Sequence, residues 1–373
     1  MHPSRPPALL KGIEEEVLLG TQACQAVPLS SRLAARDPSF VVEPDGRNVE
    51  YVAGPHVDYG ELAAELAAKR LALRQALEDL GGFRVIPGGT LPLEEAAEFH
   101  LSDLSDPYYR FIRDSYGDRV VTAGSHISIG FDRPDELFRI YRVLRCEAAM
   151  YLALSASSPF YRGGLSGSHS TRWAIFPRTP SCVPLFRSQR AYIAWVEEKL
   201  RSGEMFNRRH LWVAVRPNGP NTPADLDRLE LRICDAMIDA TDLLSITALL
   251  EARVLHLLER PDLDPVAIRP EQQLLEEIAT NEAAAGRSSL DAEVIRWNDG
   301  ARMPMRAWIA ETLAEVAPIA RRVGVQERLA DFADPAALES PAKRWIQRAR
   351  DGKSVVEIIE SEAVAAERRD GLR

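Results

Sequence analysis

Three consecutive carboxylates stand inside an apolar run near the N-terminus, Gly12-Ile13-Glu14-Glu15-Glu16-Val17-Leu18-Leu19-Gly20. The run reads as a strand, and side chains two residues apart on a strand share a face, so Glu14 and Glu16 point together while Glu15 points away. A solvated charge run would show the same letters, but the place ahead of Val17, Leu18 and Leu19 argues for a largely buried strand. Two inward carboxylates then need cations to offset their desolvation. Glu50 repeats the situation between Val49 and Tyr51-Val52, with an edge-strand surface glutamate as the alternative. In Arg228-Leu229-Glu230-Leu231-Arg232 the three charges share one strand face and the two leucines the other. If the leucines face helices, the charged row faces the open side of the sheet; a structural ion-pair ladder would also explain it. His126, in Ser125-His126-Ile127-Ser128-Ile129-Gly130, shares a face with Ser128, which makes it either a core histidine or a metal ligand or phosphate donor. Glutamates with interleaved arginines on one sheet face suit hard divalent cations plus phosphate. Carboxylate oxygens bind Mg2+, and guanidinium forks grip phosphate or carboxylate through two bonds.

The elements that must position these residues follow from periodicity. Strands are expected at 12–20, 48–53, 84–87 and 120–131, and an antiparallel, hairpin-like pair at 212–216 and 228–233. Leucines 62, 66, 73, 77 and 80 recur at helical spacing until Gly81-Gly82 ends the helix. A long helix is expected over 135–156, and further helices over 243–258, 271–285 and 306–323. Strands without regular βαβ alternation, with a hairpin near the end, imply an α+β fold: an antiparallel sheet with helices on one side and a helical C-terminal third.

Composition narrows the classes. The 373 residues are 46% hydrophobic and 27% charged, an ordinary globular balance. With 55 acidic against 46 basic residues the net charge is -9, which argues against general attraction to nucleic acid or an anionic membrane. No apolar run reaches the roughly 20 residues of a membrane span, so a soluble, cytoplasmic protein is expected. Cys24, Cys146, Cys182 and Cys234 are scattered without metal-ligand spacing, which fits reduced, mostly buried thiols. No P-loop, dinucleotide, HExxH or GxSxG motif is present.

Taken in order, Lys11 to Glu16, Arg47 to Tyr51, Ser125 to Gly130, Leu154 to Phe160, His169-Ser170-Thr171-Arg172-Trp173, Arg209 to Gly219 and Arg228 to Asp235 resemble motifs of glutamate-cysteine ligase, cyanobacterial type, of the carboxylate-amine ligase superfamily. The likeness covers roughly Leu10 to Val323, including Asn281 and Arg287. It implies a glutamine-synthetase-like fold, a curved antiparallel sheet forming an active-site funnel for ATP, Mg2+ (or Mn2+) and an amino acid. By that resemblance Glu14, Glu16, Glu50, His126 and Glu230 would be metal ligands, and Arg172 and Arg232 would act in catalysis on phosphate or substrate carboxylate. Arg287 joins them as a nucleotide-site residue, Glu43 would be a further metal or amine contact, and Arg216 matches a family position without an assigned role. Ser168 departs from relatives that carry an aromatic residue before the His-Ser-Thr-Arg stretch.

The implied domain plan is a flexible lead at 1–9, one catalytic domain at 10–330 and a helical extension at 331–373, with a homodimer as one assembly open to it. The implied reaction joins the γ-carboxylate of L-glutamate to the amine of L-cysteine through a γ-glutamyl phosphate. Three rivals stay open: a ligase of the same mechanism with another amine or acid, a guanidino kinase, and a non-catalytic metal-binding protein.

Overall fold

The structure is a computed structural model that describes residues 9–93, 98–130 and 133–372. Strand β1 (Leu10–Gly20) is followed by helix α1 (Ser30–Arg36), strands β2 (Phe40–Val42) and β3 (Asn48–His56), helix α2 (Tyr59–Asp79), strand β4 (Arg84–Ile86), helix α3 (Pro107–Tyr116), strand β5 (Ser125–Gly130) and helix α4 (Pro134–Ser155). A small hairpin, β6 (Phe160–Tyr161) and β7 (Gly164–Leu165), leads to helices α5 (Thr171–Ile175) and α6 (Gln189–Ser202), then to strands β8 (Val215–Asn218) and β9 (Arg228–Leu231). The remainder is helical: α7 (Ala240–Glu259), α8 (Pro265–Ile268), α9 (Glu271–Ser288), α10 (Met305–Val323), α11 (Pro341–Arg350) and α12 (Val355–Arg369), with hairpin β10 (Glu293–Ile295) and β11 (Arg302–Pro304) between α9 and α10.

The main sheet runs β2-β3-β1-β5-β9-β8, every pair antiparallel, and β4 takes over beside β1 beyond the reach of β5. Alternation sorts its two faces. Ile13, Val17, Val49, Tyr51, Ile127, Ile129, Leu229 and Leu231 are buried on one side against α2, α4 and α7. Each large apolar side chain placed there contributes about 1.5 to 3 kcal/mol. Helix α2 starts where Asp58 accepts from the Gly60 and Glu61 amides, and it buries Leu62, Leu66, Leu73 and Leu77 on one stripe. Helices α4 and α7 are apolar around most of their circumference, because α9 and α10 cover the side that faces away from the sheet.

Charge on this helix side is paired. Lys11 meets Glu251 at 2.9 Å, Arg253 meets Glu147 at 2.6 Å, and Glu15 meets Arg70 at 3.0 Å while also accepting from the Tyr51 hydroxyl at 2.5 Å. Glu15 therefore does point away from Glu14 and Glu16, but into the core.

The expected strand over 120–131 is shorter. Gly117–Val120 is a 3-10 turn, the strand is Ser125–Gly130, and residue 131 lies outside the described residues. Of the expected lead at 1–9, residues 1–8 also lie outside them, whereas Leu9 is buried and its carbonyl accepts from Lys11. Helices α11 and α12 contribute Trp345, Ile358, Ile359 and Ala363 to a second apolar cluster with Leu18, Ile86 and Phe160. Asp370 ties the same end to Arg70 and Arg74 at 3.0 and 2.6 Å. All four cysteines are free; Cys24, Cys146 and Cys234 are buried, whereas Cys182 is exposed.

Candidate active site

Strand register carries the charged residues onto the face opposite the helices. Glu16 lies across from Glu50, Glu14 across from His126, and Glu230 across from Ser128 on one side and Arg216 on the other. A single row thus spans β3, β1, β5, β9 and β8, with Arg232 immediately past the end of β9.

Within the row, carboxylates gather in two groups. Ligand atoms of Glu16, Glu43 and Glu50 lie within 4.8 Å of one another, as do those of Glu14, His126 and Glu230. In the first group no lysine or arginine among the described residues comes within 4.0 Å of the three carboxylates. Burial, then the charge of Glu16, pushes Glu43 up to about 8. Burial, then Glu43, Glu14 and Glu16, pushes Glu50 well above the carboxylate range. Three crowded carboxylates, with no lysine or arginine of the described residues beside them, offer an oxygen donor set suited to a hard divalent ion such as Mg2+ or Mn2+.

The second group differs. Glu230 is fully buried, and one of its oxygens receives Arg216 Nε at 2.9 Å, Arg216 Nη2 at 2.8 Å and Asn218 Nδ2 at 3.0 Å. Its other oxygen receives Arg232 Nη1. Burial works to raise its pKa, but Arg216 and Arg232 outweigh it and hold the carboxyl far below its usual range. A cation at this group would have to draw Glu230 away from a guanidinium. His126 bridges the two groups, with Nδ1 at 3.5 Å from Glu14 and Nε2 at 3.7 Å from Glu16.

Arg172 projects from the short helix α5 and is buried; Nη1 donates to the Ile233 carbonyl and Nη2 to the Arg232 carbonyl, each at 3.2 Å. It lines a cavity with Glu16, Glu43, Asn48, His126 and Arg232, whose far wall is Ile112, Trp173, Phe176 and Trp212. Asn48 donates to the Thr122 carbonyl at 2.7 Å, and its buried Oδ1 has no protein partner. Arg287 is not brought to this row: its side chain is exposed at the end of α9, and its carbonyl accepts from the His169 amide at 3.3 Å. Asn281 pairs with both main-chain groups of Ile295 at 2.7 Å and braces α9 against β10.

Helix α3 lends Ile112 to the cavity and packs Tyr108, Tyr109 and Ile112 with Trp212 in one buried cluster. Arg209 lies over the Tyr108 and Tyr109 rings at 5.5 and 5.8 Å. His210, paired to Tyr116 Oη at 2.8 Å, is lowered by burial to about 4 and stays neutral. Neither α3 nor its aromatic cluster was expected from periodicity. Asp106-Pro107, an N-cap followed by a proline in the first turn, was the available signal.

A model of glutamate-cysteine ligase family 2 matches residues 10–357. The chain belongs to this family. Membership makes it an enzyme of the carboxylate-amine ligase class. A protein of Frankia alni provisionally named glutamate–cysteine ligase 2-1 is 28% identical, covering 81% of this chain and 77% of its own. A Sorangium cellulosum protein with a similar provisional name, glutamate–cysteine ligase 2, is 31% identical over 75% of this chain and 73% of its own. Among solved structures, the glutamate–cysteine ligase of Francisella tularensis in complex with AMP aligns with a TM-score of 0.75 at 13% identity, over 97% of this chain and 89% of that one. The bifunctional glutathione synthetase of Pasteurella multocida aligns at 0.73 and 15% identity, over 97% of this chain and 52% of that one. These likenesses establish the fold, the glutamine-synthetase-like α+β arrangement. Among the described residues no helix is long and apolar enough to cross a membrane.

Proposed function

We propose that this family member uses ATP to join the γ-carboxylate of L-glutamate to the amine of L-cysteine, releasing γ-glutamylcysteine, ADP and phosphate. A carboxylate does not condense with an amine unaided, because its oxygen is a poor leaving group. Transfer of the terminal phosphoryl group to the γ-carboxylate converts that oxygen to phosphate, which the acceptor amine then displaces. Divalent cations, when bound, would neutralise the phosphate oxygens and orient them.

The observation that carries this reading is the carboxylate group Glu16, Glu43 and Glu50, with no lysine or arginine among the described residues within 4.0 Å, two of whose members, Glu16 and Glu43, line one cavity with Arg172 and Arg232. In this reading Glu14, Glu16, Glu43 and Glu50 hold cations. Arg232, already fixed on Glu230, turns its remaining N–H groups to the transferring phosphoryl group, and Arg172 backs it. His126 and Glu230 set the spacing between the two groups. The apolar lining of Ile112, Trp173, Phe176 and Trp212 keeps water from the acyl phosphate. Residues 10–330 carry the chemistry, and helices α11 and α12 brace the sheet end.

The test is an amino-acid panel assayed for ADP release together with product mass. Cysteine should give the highest kcat/KM, 2-aminobutyrate should follow within about 1 to 3 kcal/mol, and bulky or charged acceptors should fail. A second reading, the same mechanism with another acceptor, is favoured by the cavity wall of Ile112, Phe176 and Trp212, whose side chains select by shape rather than by engaging a thiol. If a large amine wins, that second reading stands and the first falls. ADP release with one acceptor and no condensed product would instead indicate a kinase.

A further inference from the structure

The Arg172 guanidinium lies in a slot beside a glycine, and its helix is anchored by a buried aspartate. Built onto Gly124, a Cβ would lie 2.2 Å from Arg172 Nη2, 2.5 Å from Cζ and 2.8 Å from Nε, so the guanidinium occupies the space a side chain would need. Gly124 is also the main-chain partner of Glu16. It donates to the Glu16 carboxylate at 2.9 Å, and its carbonyl accepts from the Glu16 amide at 3.0 Å. One residue therefore sets a candidate cation ligand and a guanidinium in fixed relation.

The other end of Arg172 is fixed by a buried aspartate. Asp235 is fully buried and accepts from the Ser157 amide at 2.9 Å, from Ser158 Oγ at 2.7 Å and from Ser170 Oγ at 2.7 Å. Ser158 Oγ in turn accepts from the Arg172 amide at 3.1 Å, and Ser170 caps α5 by accepting from the Trp173 amide at 3.2 Å. These three donors are neutral, and among the described residues Arg172 is the cation that bears on the Asp235 charge. Asp235 and Gly124 are themselves joined as partners in a β-bridge, which closes the loop of contacts around the arginine. This accounts for three sequence stretches that the reaction alone leaves unused: the serines at 157–158, the Ser170-Thr171-Arg172 turn, and the strand extension that ends at Asp235.

We propose that Gly124 and Asp235 are positioning residues for Arg172: the glycine provides the slot for its guanidinium, and the aspartate, acting through Ser158 and Ser170, fixes the helix start that aims it. The proposal rests on the ligase reading only for its kinetic consequences; the slot itself is a matter of packing.

A double-mutant cycle tests both parts on the full chain. Gly124→Ala should lower kcat/KM by about 100-fold, the scale of a displaced catalytic contact, and should lower Tm by a few degrees through overpacking. Arg172→Ala should lower kcat/KM comparably. In the double variant the methyl group has room, so kcat/KM should stay within about threefold of Arg172→Ala and Tm should return to that variant's value. Ser158→Ala, a smaller change than any at Asp235, should lower kcat/KM by about tenfold with Arg172 present and have no further effect without it. Losses that multiply in kcat/KM and add in Tm would overturn the proposal, because a purely structural glycine or serine behaves that way. If the wild-type protein shows no ligase activity, the ligase reading fails, and the Tm cycle still decides the slot.

Discussion

Glu230 and the trio Glu16, Glu43 and Glu50 occupy the same sheet face, yet they meet the cost of burial in opposite ways. Glu230 is surrounded by Arg216, Arg232 and Asn218, and its carboxyl is held far below the usual range. The trio has no lysine or arginine in salt-bridge reach among the described residues, and Glu43 and Glu50 are pushed upward. The first is a completed ion network whose loss leaves two guanidiniums uncompensated. The second is left to be neutralised by protons or, in the proposed reading, by a bound cation. The two groups are told apart by their partners rather than by residue type or face.

The largest effect that separates them should come from Glu230→Gln. Removing the shared anion strands Arg216 and Arg232, so denaturant unfolding should show a loss of about 3 to 5 kcal/mol, with or without Mg2+. A loss that vanishes when Mg2+ is added would place Glu230 with the trio. Glu50→Gln should do the reverse. Activity should fall at least about 100-fold, close to 2.7 kcal/mol in transition-state stabilisation, while the metal-free fold becomes no less stable because repulsion is relieved. Near-normal turnover at saturating Mg2+ would remove Glu50 from the cation site.

Arg232→Lys keeps the charge but loses the planar fork between Glu230 and substrate, at an expected cost of roughly 1.5 to 3 kcal/mol in kcat/KM. A kinetically silent lysine would make Arg232 part of the structural network only. On the opposite face, Glu15→Gln weakens the contacts to Arg70 and Tyr51, so it should cost about 2 kcal/mol of stability with kcat nearly unchanged. The effect that is smallest per unit step is one of pH. Glu43 rises from its ordinary 4.5 to about 8, so the native state holds a proton that the unfolded chain gives up. That contribution is complete below about 4.5 and is lost as pH rises toward 8, so metal-free stability should fall by about 1 kcal/mol or less per pH unit in this window. Saturating Mg2+ should flatten the slope; a slope that persists would assign the titration to another group.

Much of the fold was legible because periodicity reports it directly. The helix expected from leucines 62 to 80 is Tyr59–Asp79, and the hairpin-like pair is β8 and β9, with β8 starting three residues later than expected. Helices α3 and α6 are not legible in periodicity, since their boundaries rest on capping residues, Asp106 and Ser188, rather than on long apolar stripes. Glu43 lies in the bend between β2 and β3, where no period assigns a face; the family resemblance marks it as a metal or amine contact, and the folded chain sets it beside Glu16 and Glu50.

The sequence by itself determined which side chains share a strand face, because the two-residue period of a strand is a local property of the backbone. It separated Glu14 and Glu16 from Glu15, and Glu230 from Leu229 and Leu231. Register and the packing of distant segments decided the rest. Only the tertiary structure set Arg216 and Arg232 on Glu230, left Glu16, Glu43 and Glu50 without a lysine or arginine within 4.0 Å among the described residues, turned Glu15 onto Arg70, and threaded Arg172 past Gly124. Whether a buried charge is neutralised depends on groups far away in sequence, and local pattern carries no information about their distance.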